Sequence, residues 1–263
     1  MQFALVNGNR TKPRKGVKGI CPGCLQPVIP KCGEQRIHHW AHIGDFVCNA
    51  FREAETEWHL SWKNNFPLSW QERRLADNRT GEIHIADICT DKDFIIEFQH
   101  SSITSEERNS REEFHKEMIW VVDGTCQKRT YPRFLKRIGE FSKTNKQGHY
   151  STNDFPESYF PERWVKSKVP VIFDFKGTQE ISNYKDFRNN LIMLFPSSGM
   201  RETIIAVLSR ESFIGTINSD GRLFKPIEPK PEKTKKAAKK RTIQTSPYYY
   251  DSRKGRFIKK RRF

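Results

Sequence analysis

HIADICTDKDFIIEFQHSSI, residues 84–103, holds two β-runs separated by a polar turn. Ile83 to Cys89 and Phe94 to Gln99 are rich in β-branched and aromatic residues, and Thr90 to Asp93 supplies four residues suited to a hairpin. Side chains alternate along a strand, so Glu97 and Gln99 share one face while Ile96 and Phe98 take the other. Asp87 on the first strand and Glu97 on the second can then converge on one divalent cation. Carboxylates suit Mg²⁺ or Mn²⁺, a hard ion that keeps several waters, one of which can become a nucleophile toward a phosphodiester. Acidic residues on strands ordinarily face solvent. Here Ile83, Ile85, Ile88, Phe94, Ile95, Ile96 and Phe98 mark central strands, where a carboxylate is costly unless a cation compensates it.

Upstream, Glu55, His59 and Lys63 are spaced i, i+4, i+8, with Trp62 beside Lys63, so a helix would stack them along one stripe and end near Pro67. Ser69 to Leu75, carrying Glu72, reads as a strand. Glu72 is either a further metal ligand or an ordinary surface residue. Downstream, Ser102 to Lys116, with Arg108 and Arg111, reads as an amphipathic helix capped by Ser101 and Ser102, and Met118 to Val122 as a buried strand. His100, of opposite parity to Glu97 and Gln99, is expected to be structural or on the outer face. The order is helix, three strands, helix, strand.

That order, with ETEWHLSWK (55–63), HIAD (84–87), IEFQHSSI (96–103), EERNSREEF (106–114) and MIWVVDG (118–124), resembles the PD-(D/E)XK nuclease superfamily. More narrowly it resembles the competence protein CoiA-like nucleases, over about residues 20–125 and more weakly through FPERWVKSKVPVIFDF. The resemblance implies an α/β (α+β) fold with a restriction-endonuclease-like αβββαβ core. It further implies metal-dependent cleavage or processing of DNA, with Glu55, Asp87 and Glu97 holding Mg²⁺ or Mn²⁺. Where the superfamily name has Lys, this chain has Gln99, which can orient a water or phosphate oxygen but brings no charge. The CoiA-like subgroup shows the same Glu-x-Gln. Lys63, on a long stem, is expected to supply the missing cation, and His59 a base or a phosphate contact.

A second constellation precedes the first. Cys21, Cys24, His39 and His42 form C-x2-C-x14-H-x2-H, a spacing that fits a small zinc knuckle or ribbon. Cys32 or Cys48 could replace one histidine. The CoiA-like family similarly opens with a Cys-x-x-Cys and His-aromatic-Ala-His module. So little apolar mass lies between the pairs that metal would stabilise this fold directly.

The 263 residues, 35% of them hydrophobic, suffice for one moderate core and a small metal module. The expected organisation is a zinc module over 1–50, a nuclease-like core over 51–126, an α/β extension over 127–229 and a disordered basic tail over 230–263. Fourteen Lys and Arg against Glu232 and Asp251 give that tail twelve of the chain's sixteen net positive charges. Lys235, Lys236, Lys239, Lys240, Arg241, Lys259, Lys260, Arg261 and Arg262 are its candidate nucleic-acid contacts, since such side chains release counterions from a phosphate backbone. Tyr248, Tyr249, Tyr250, Phe257 and Phe263 could stack on exposed bases.

Residues 139–160 read as an irregular excursion, and Trp164 as either its anchor or a nucleic-acid contact. VPVIFDF, LIMLFP and ETIIAVLSRESFIGTI downstream read as strands or a short buried helix. Cys89 and Cys126 read as free thiols. Without a long apolar run, a secretion signal or a phosphate-binding Gly-rich loop, the expectation is a cytoplasmic protein that neither enters membranes nor uses ATP. Two other functions fit the same sequence: a non-cleaving DNA-binding or recombination factor, and a nuclease directed at RNA.

Overall fold

The computed structural model describes residues 1–34, 36–44, 55–77, 81–115, 117–197, 201–224, 248–251, 253 and 255–259. Contacts divide the chain into Met1–Phe224 and Lys225–Phe263. It is a mixed α/β protein. The first unit holds two sheets and five short helices among its described residues.

The smaller sheet runs β2-β1-β3-β4-β5, from β1 (Ala4–Val6), β2 (Asn9–Thr11), β3 (Gly19–Ile20), β4 (Pro27–Lys31) and β5 (His39–His42). Among the described residues its buried core is small: Met1, Ala4, Cys21, Val28 and Trp40. So few apolar side chains leave this layer dependent on further support. Some comes from the larger sheet, where Glu72 accepts from the backbone N–H of Gln2 (2.9 Å) and Phe3 (3.2 Å), and Arg10 donates to the carbonyls of Leu68 and Gln71.

Next come α1 (Glu57–Lys63), β6 (Gln71–Ala76), β7 (Ile83–Cys89), β8 (Ile95–Gln99), α2 (Ser105–Phe114) and β9 (Met118–Asp123), in the order expected from the sequence. Two helix starts differ from expectation. Thr56 caps α1 by accepting from the His59 N–H, so Glu55 precedes the helix, and Thr104, not Ser101 or Ser102, caps α2. The hairpin at 90–93 is held by Thr90 Oγ1, which accepts from the N–H of Lys92 and Phe94, with Asp93 left-handed at φ +56°.

The remaining elements are α3 (Thr130–Arg137), β10 (Ser142–Lys143), β11 (His149–Thr152), α4 (Glu162–Val165), β12 (Val171–Asp174), β13 (Asn190–Leu194), β14 (Thr203–Ser209) and α5 (Arg210–Asp220). The large sheet has nine strands in the order β10-β11-β14-β13-β12-β9-β8-β7-β6, with β8, β9 and β12 mutually parallel and every other pair antiparallel. The 139–160 excursion is therefore partly ordered sheet: β10 and β11 form a polar hairpin whose second strand pairs with β14. Trp164 is buried against Trp120, which removes it as a nucleic-acid contact.

Apolar layers cover both faces. On one, Trp58 and Trp62 of α1 pack on Phe98, the Trp62 ring stacked at 5.7 Å, with Ile96, Ile119, Ile172 and Phe213. On the other, Ile95, Trp120, Val122, Phe134, Phe160 and Phe173 pack together. Asp174, fully buried, ties α1 to the sheet by accepting from the indole N–H of Trp58 (2.9 Å) and Trp62 (3.0 Å) and from Arg210. No helix among the described residues is long and apolar enough to cross a membrane.

In the second unit, β15 (Tyr248–Asp251) pairs antiparallel with β16 (Arg256–Lys259), so this part of the expected disordered tail is a hairpin. Lys259 lies in β16, whereas Lys235, Lys236, Lys239, Lys240, Arg241, Lys260, Arg261 and Arg262 lie outside the described residues.

Candidate functional site

Lys63 ends α1 and carries its ammonium into the space between α1, β6 and β7. Its Nζ lies 2.9 Å from Asp87 Oδ1, 3.1 Å from Glu55 Oε1 and 3.3 Å from Glu72 Oε1, and the side chain is 3% exposed. Burial by itself pulls an ammonium's pKa down, but Asp87, Glu72 and Glu55 outweigh it and hold Lys63 well above its ordinary value. Burial pushes Asp87 the other way; Lys63 and then His59 overcome that, helped by the Phe98 N–H bond to Oδ2 (3.0 Å), and Asp87 stays below the usual carboxylate range.

Glu72 reaches the cluster through an unusual backbone. It sits in β6 between Gln71, opposite Ile88, and Arg73, opposite Ala86, yet has φ +44°. A left-handed glutamate inside a strand is strained, and such strain persists only where neighbours over-determine it. Here the N–H groups of Gln2 and Phe3 and the Lys63 ammonium do so, which makes Glu72 a buried link between the two sheets rather than a surface residue.

Glu97 stands one strand further in, 1% exposed, opposite Trp120 of β9. Arg111 Nη1 donates to Oε2 at 2.8 Å, and His115 Nε2 lies 3.7 Å from Oε1. Burial lifts its pKa to about 7; Arg111 opposes the rise and Asp87 reinforces it. His115 is driven to about 3 by burial, with His84 and Arg111 adding to the effect, so it is neutral here. A pocket of about 440 Å³, walled in part by Glu97, Arg111 and Thr104, opens on this side.

The structure thus gathers Glu55, Lys63 and Asp87 into one contact cluster, adds Glu72, and sets Glu97 beside it in electrostatic reach of Asp87 and Lys63. His59 is buried on α1 with Nδ1 2.8 Å from Thr56 Oγ1. Gln99 shares the Glu97 face but donates to the Ser101 carbonyl at 3.3 Å. Arg111 and His115 are site residues that the motifs alone do not mark. The signal was present in α2, whose inward stripe of Arg108, Arg111, Glu112 and His115 follows helical spacing yet is ionisable throughout. Glu112 is saturated by Trp120 Nε1, Ser167 Oγ and the Lys168 N–H, which makes that half of the stripe structural.

Four buried or near-buried carboxylates, Glu55, Glu72, Asp87 and Glu97, face Lys63 and Arg111, with Arg10 also in electrostatic reach of Glu72. Glu55 Oε1 is buried and its partner is the Lys63 ammonium, 3.1 Å away. Carboxylate oxygens are the hard donors that a divalent ion such as Mg²⁺ or Mn²⁺ takes, and here the Lys63 ammonium stands among them.

The N-terminal sheet carries a second cluster. Cys21 and Cys24 flank the β3–β4 turn, closed by the Leu25 N–H to the Cys21 carbonyl (3.0 Å) and the Gly23 N–H to Cys21 Sγ (3.3 Å). His42 Nε2 lies 3.2 Å from Cys24 Sγ. One ligand atom from each of Cys21, Cys24 and His42 falls within 4.8 Å of the others, an arrangement able to hold a metal ion. Burial, and then the N-terminal ammonium, lower the His42 pKa and favour the neutral, ligating imidazole.

His39 is not in this cluster; its Nδ1 is 2.8 Å from the Ile37 carbonyl. HWAH is a strand, and residues three apart on a strand point to opposite faces. Cys32 is likewise absent from the cluster, and Cys48 lies outside the described residues.

Residues 9–51 match the family model "Competence protein CoiA, N-terminal domain". That match spans the Cys-x-x-Cys and His-Trp-Ala-His motifs; it supports a CoiA-like family and suggests a competence-related protein. No curated protein and no solved structure matches the chain.

Proposed function

We propose that this chain is a divalent-metal-dependent nuclease of the PD-(D/E)XK type acting on DNA, built on a restriction-endonuclease-like helix, three-strand, helix, strand core. The observation that carries this reading is the gathering of Glu55, Glu72 and Asp87 within 3.3 Å of one buried ammonium, with Glu97 alongside. Three carboxylates sharing one ammonium repel each other, and a divalent ion among them would relieve that repulsion.

Glu55, Asp87 and Glu97 would hold Mg²⁺ or Mn²⁺, with Glu72 closing the cluster toward the N-terminal sheet. When bound, such an ion supplies an acidified water and charge neutralisation for phosphodiester hydrolysis. Asp87, held ionised, serves as the permanent ligand. Glu97, lifted to about 7 by burial, would give up its proton when an ion binds and join Asp87 as a ligand. Lys63 stays protonated at any working pH, so it stabilises negative charge developing on phosphate rather than acting as a base, and it provides the cation that Gln99 lacks. The basic tail supplies sequence-independent grip on the strand.

The test is incubation of the full chain with plasmid, linear duplex, single-stranded DNA and RNA, each with Mg²⁺, Mn²⁺ or EDTA, beside Asp87→Ala. The expected result is DNA cleavage that requires both metal and Asp87. Retention of DNA without scission in every lane would make the chain a DNA-handling factor, and cleavage confined to RNA would move the substrate.

Cys21, Cys24 and His42 hold a structural zinc ion in the same reading, since thiolate and imidazole are its usual ligands. Metal analysis is expected to show that Cys24→Ser and His42→Ala each lose one zinc equivalent while His39→Ala retains it. Zinc kept by His42→Ala and lost by His39→Ala would reverse the assignment.

A further inference from the structure

A second set of metal-type donors lies at the ends of β8 and β9, His100, Asp123 and Cys126. β8 ends at Gln99, and the next residue, His100, turns its ring toward β9; the His59 and His100 ring centroids are 6.0 Å apart. β9 ends at Asp123, which is 2% exposed, and the 3₁₀ turn Gly124–Cys126 follows at once. Residues i and i+3 eclipse in such a turn, which brings Cys126 back over Asp123. Gly124 permits the close approach of this turn to the sheet, since a Cβ there would lie 2.3 Å from the Phe175 ring.

Asp123 Oδ1 accepts from the Thr125 N–H (2.8 Å) and Oγ1 (2.6 Å), so the carboxylate is locked with Oδ2 turned toward His100 and Cys126. His100 Nδ1 lies 2.8 Å from Oδ2, while Cys126 Sγ lies 3.6 Å from either ring nitrogen and 3.9 Å from Oδ2. A tetrahedral ion with bonds of about 2.1 Å to N and O and about 2.3 Å to S spaces its ligands by roughly 3.4–3.6 Å. One ligand atom from each of the three lies within 4.8 Å of the others, and the two distances to sulfur are within a few tenths of an ångström of that spacing. The third side is a hydrogen bond that metal would replace, with a turn of the His100 ring, whose two nitrogens are now equidistant from Sγ.

We propose that His100, Asp123 and Cys126 form a second transition-metal site, one that takes Zn²⁺ through one nitrogen, one oxygen and one sulfur. A thiolate among the donors selects zinc over Mg²⁺, and three protein ligands leave the fourth position open. That position faces a pocket of about 610 Å³ whose walls include Ser101, Lys128, Arg129 and Arg163, so an anionic or water ligand suits it. Zinc binding displaces the thiol proton and therefore tightens as pH rises.

The inference does not rest on nuclease activity, and its readout is binding. The full chain, stripped with EDTA and re-loaded, is analysed for bound Zn²⁺ and for the thiolate-to-metal absorption of Co²⁺, beside Cys126→Ser, Cys24→Ser and the double variant. Cys126 is exposed, so Cys126→Ser is expected to fold as the parent does and to lose one metal equivalent, independently of the equivalent lost by Cys24→Ser. A wild-type zinc count and unchanged Co²⁺ spectrum in Cys126→Ser would overturn the proposal. In the parent chain, Zn²⁺ is expected to slow alkylation of the Cys126 peptide at least tenfold, reversibly with EDTA; an unchanged rate would overturn it equally.

Discussion

Lys63→Met is expected to destabilise the chain by about 3–5 kcal/mol in the presence of a chelator, the range found when one member of a buried charge set is removed. Methionine keeps most of the apolar stem, so the loss isolates the ammonium. Without it Glu55 and Glu72, 6% and 1% exposed, lose the cation within 3.3 Å of each, and Asp87, 20% exposed, keeps partial access to water. The burden therefore falls on the two glutamates, and Glu72 is further fixed by the N–H groups of Gln2 and Phe3, which favour its ionised form. In thermal melts the effect corresponds to a fall of about 10 °C. Adding Glu72→Gln to Lys63→Met should recover part of the loss, since one fewer acid then needs neutralising. Mg²⁺ should recover part as well, because an ion in the cluster replaces the missing positive charge. Coincident urea transitions for Lys63→Met and the parent would show that Lys63 is not the counter-ion of these acids.

How far the site could be read from sequence depended on whether periodicity or tertiary contact sets each residue's direction. Alternation fixes β8, where Glu97 and Gln99 oppose Ile96 and Phe98, and the turn residues at 90–93 fix its hairpin. The same logic failed at His39 because a three-residue spacing joins side chains on a helix and separates them on a strand, and HWAH carries no local mark that decides between the two. Helical spacing puts Glu55 on α1, but Thr56 is the better cap, and Glu55 reaches Lys63 from the approach to the helix. The β10–β11 hairpin was hidden because an edge pair needs only backbone bonds and can be polar throughout. For Glu72 the sequence leaves ligand and surface residue equally open, because its left-handed backbone and its burial depend on Gln2 and Phe3, some seventy residues away. Trp164 shows the opposite error, since flanking Arg163 and Lys166 suggested a nucleic-acid contact for a side chain that belongs to the core.

Glu97→Gln is expected to make the metal-free chain more stable at pH 8 while abolishing metal-dependent cleavage. Folded Glu97 keeps its proton up to about pH 7, whereas the ordinary glutamate value is 4.5. Between those values the folded state binds the extra proton, so this group's contribution to stability is complete below about pH 4.5 and is lost as pH rises through about 7. A displacement of that size corresponds to something on the order of 3 kcal/mol, shared in part with Asp87 and Arg111. Glutamine resembles the protonated acid and can still accept from Arg111, so the variant and the parent should unfold at similar urea concentrations at pH 5 and diverge by pH 8. Mg²⁺ at pH 8 should raise the parent's midpoint, since an ion stabilises the ionised carboxylate, and should raise that of Glu97→Gln far less. Parallel pH profiles in EDTA would remove Glu97 as the poised group. A Mg²⁺-induced shift as large in Glu97→Gln as in the parent would remove it from the metal cluster, leaving Glu55, Glu72 and Asp87 to hold the ion without it.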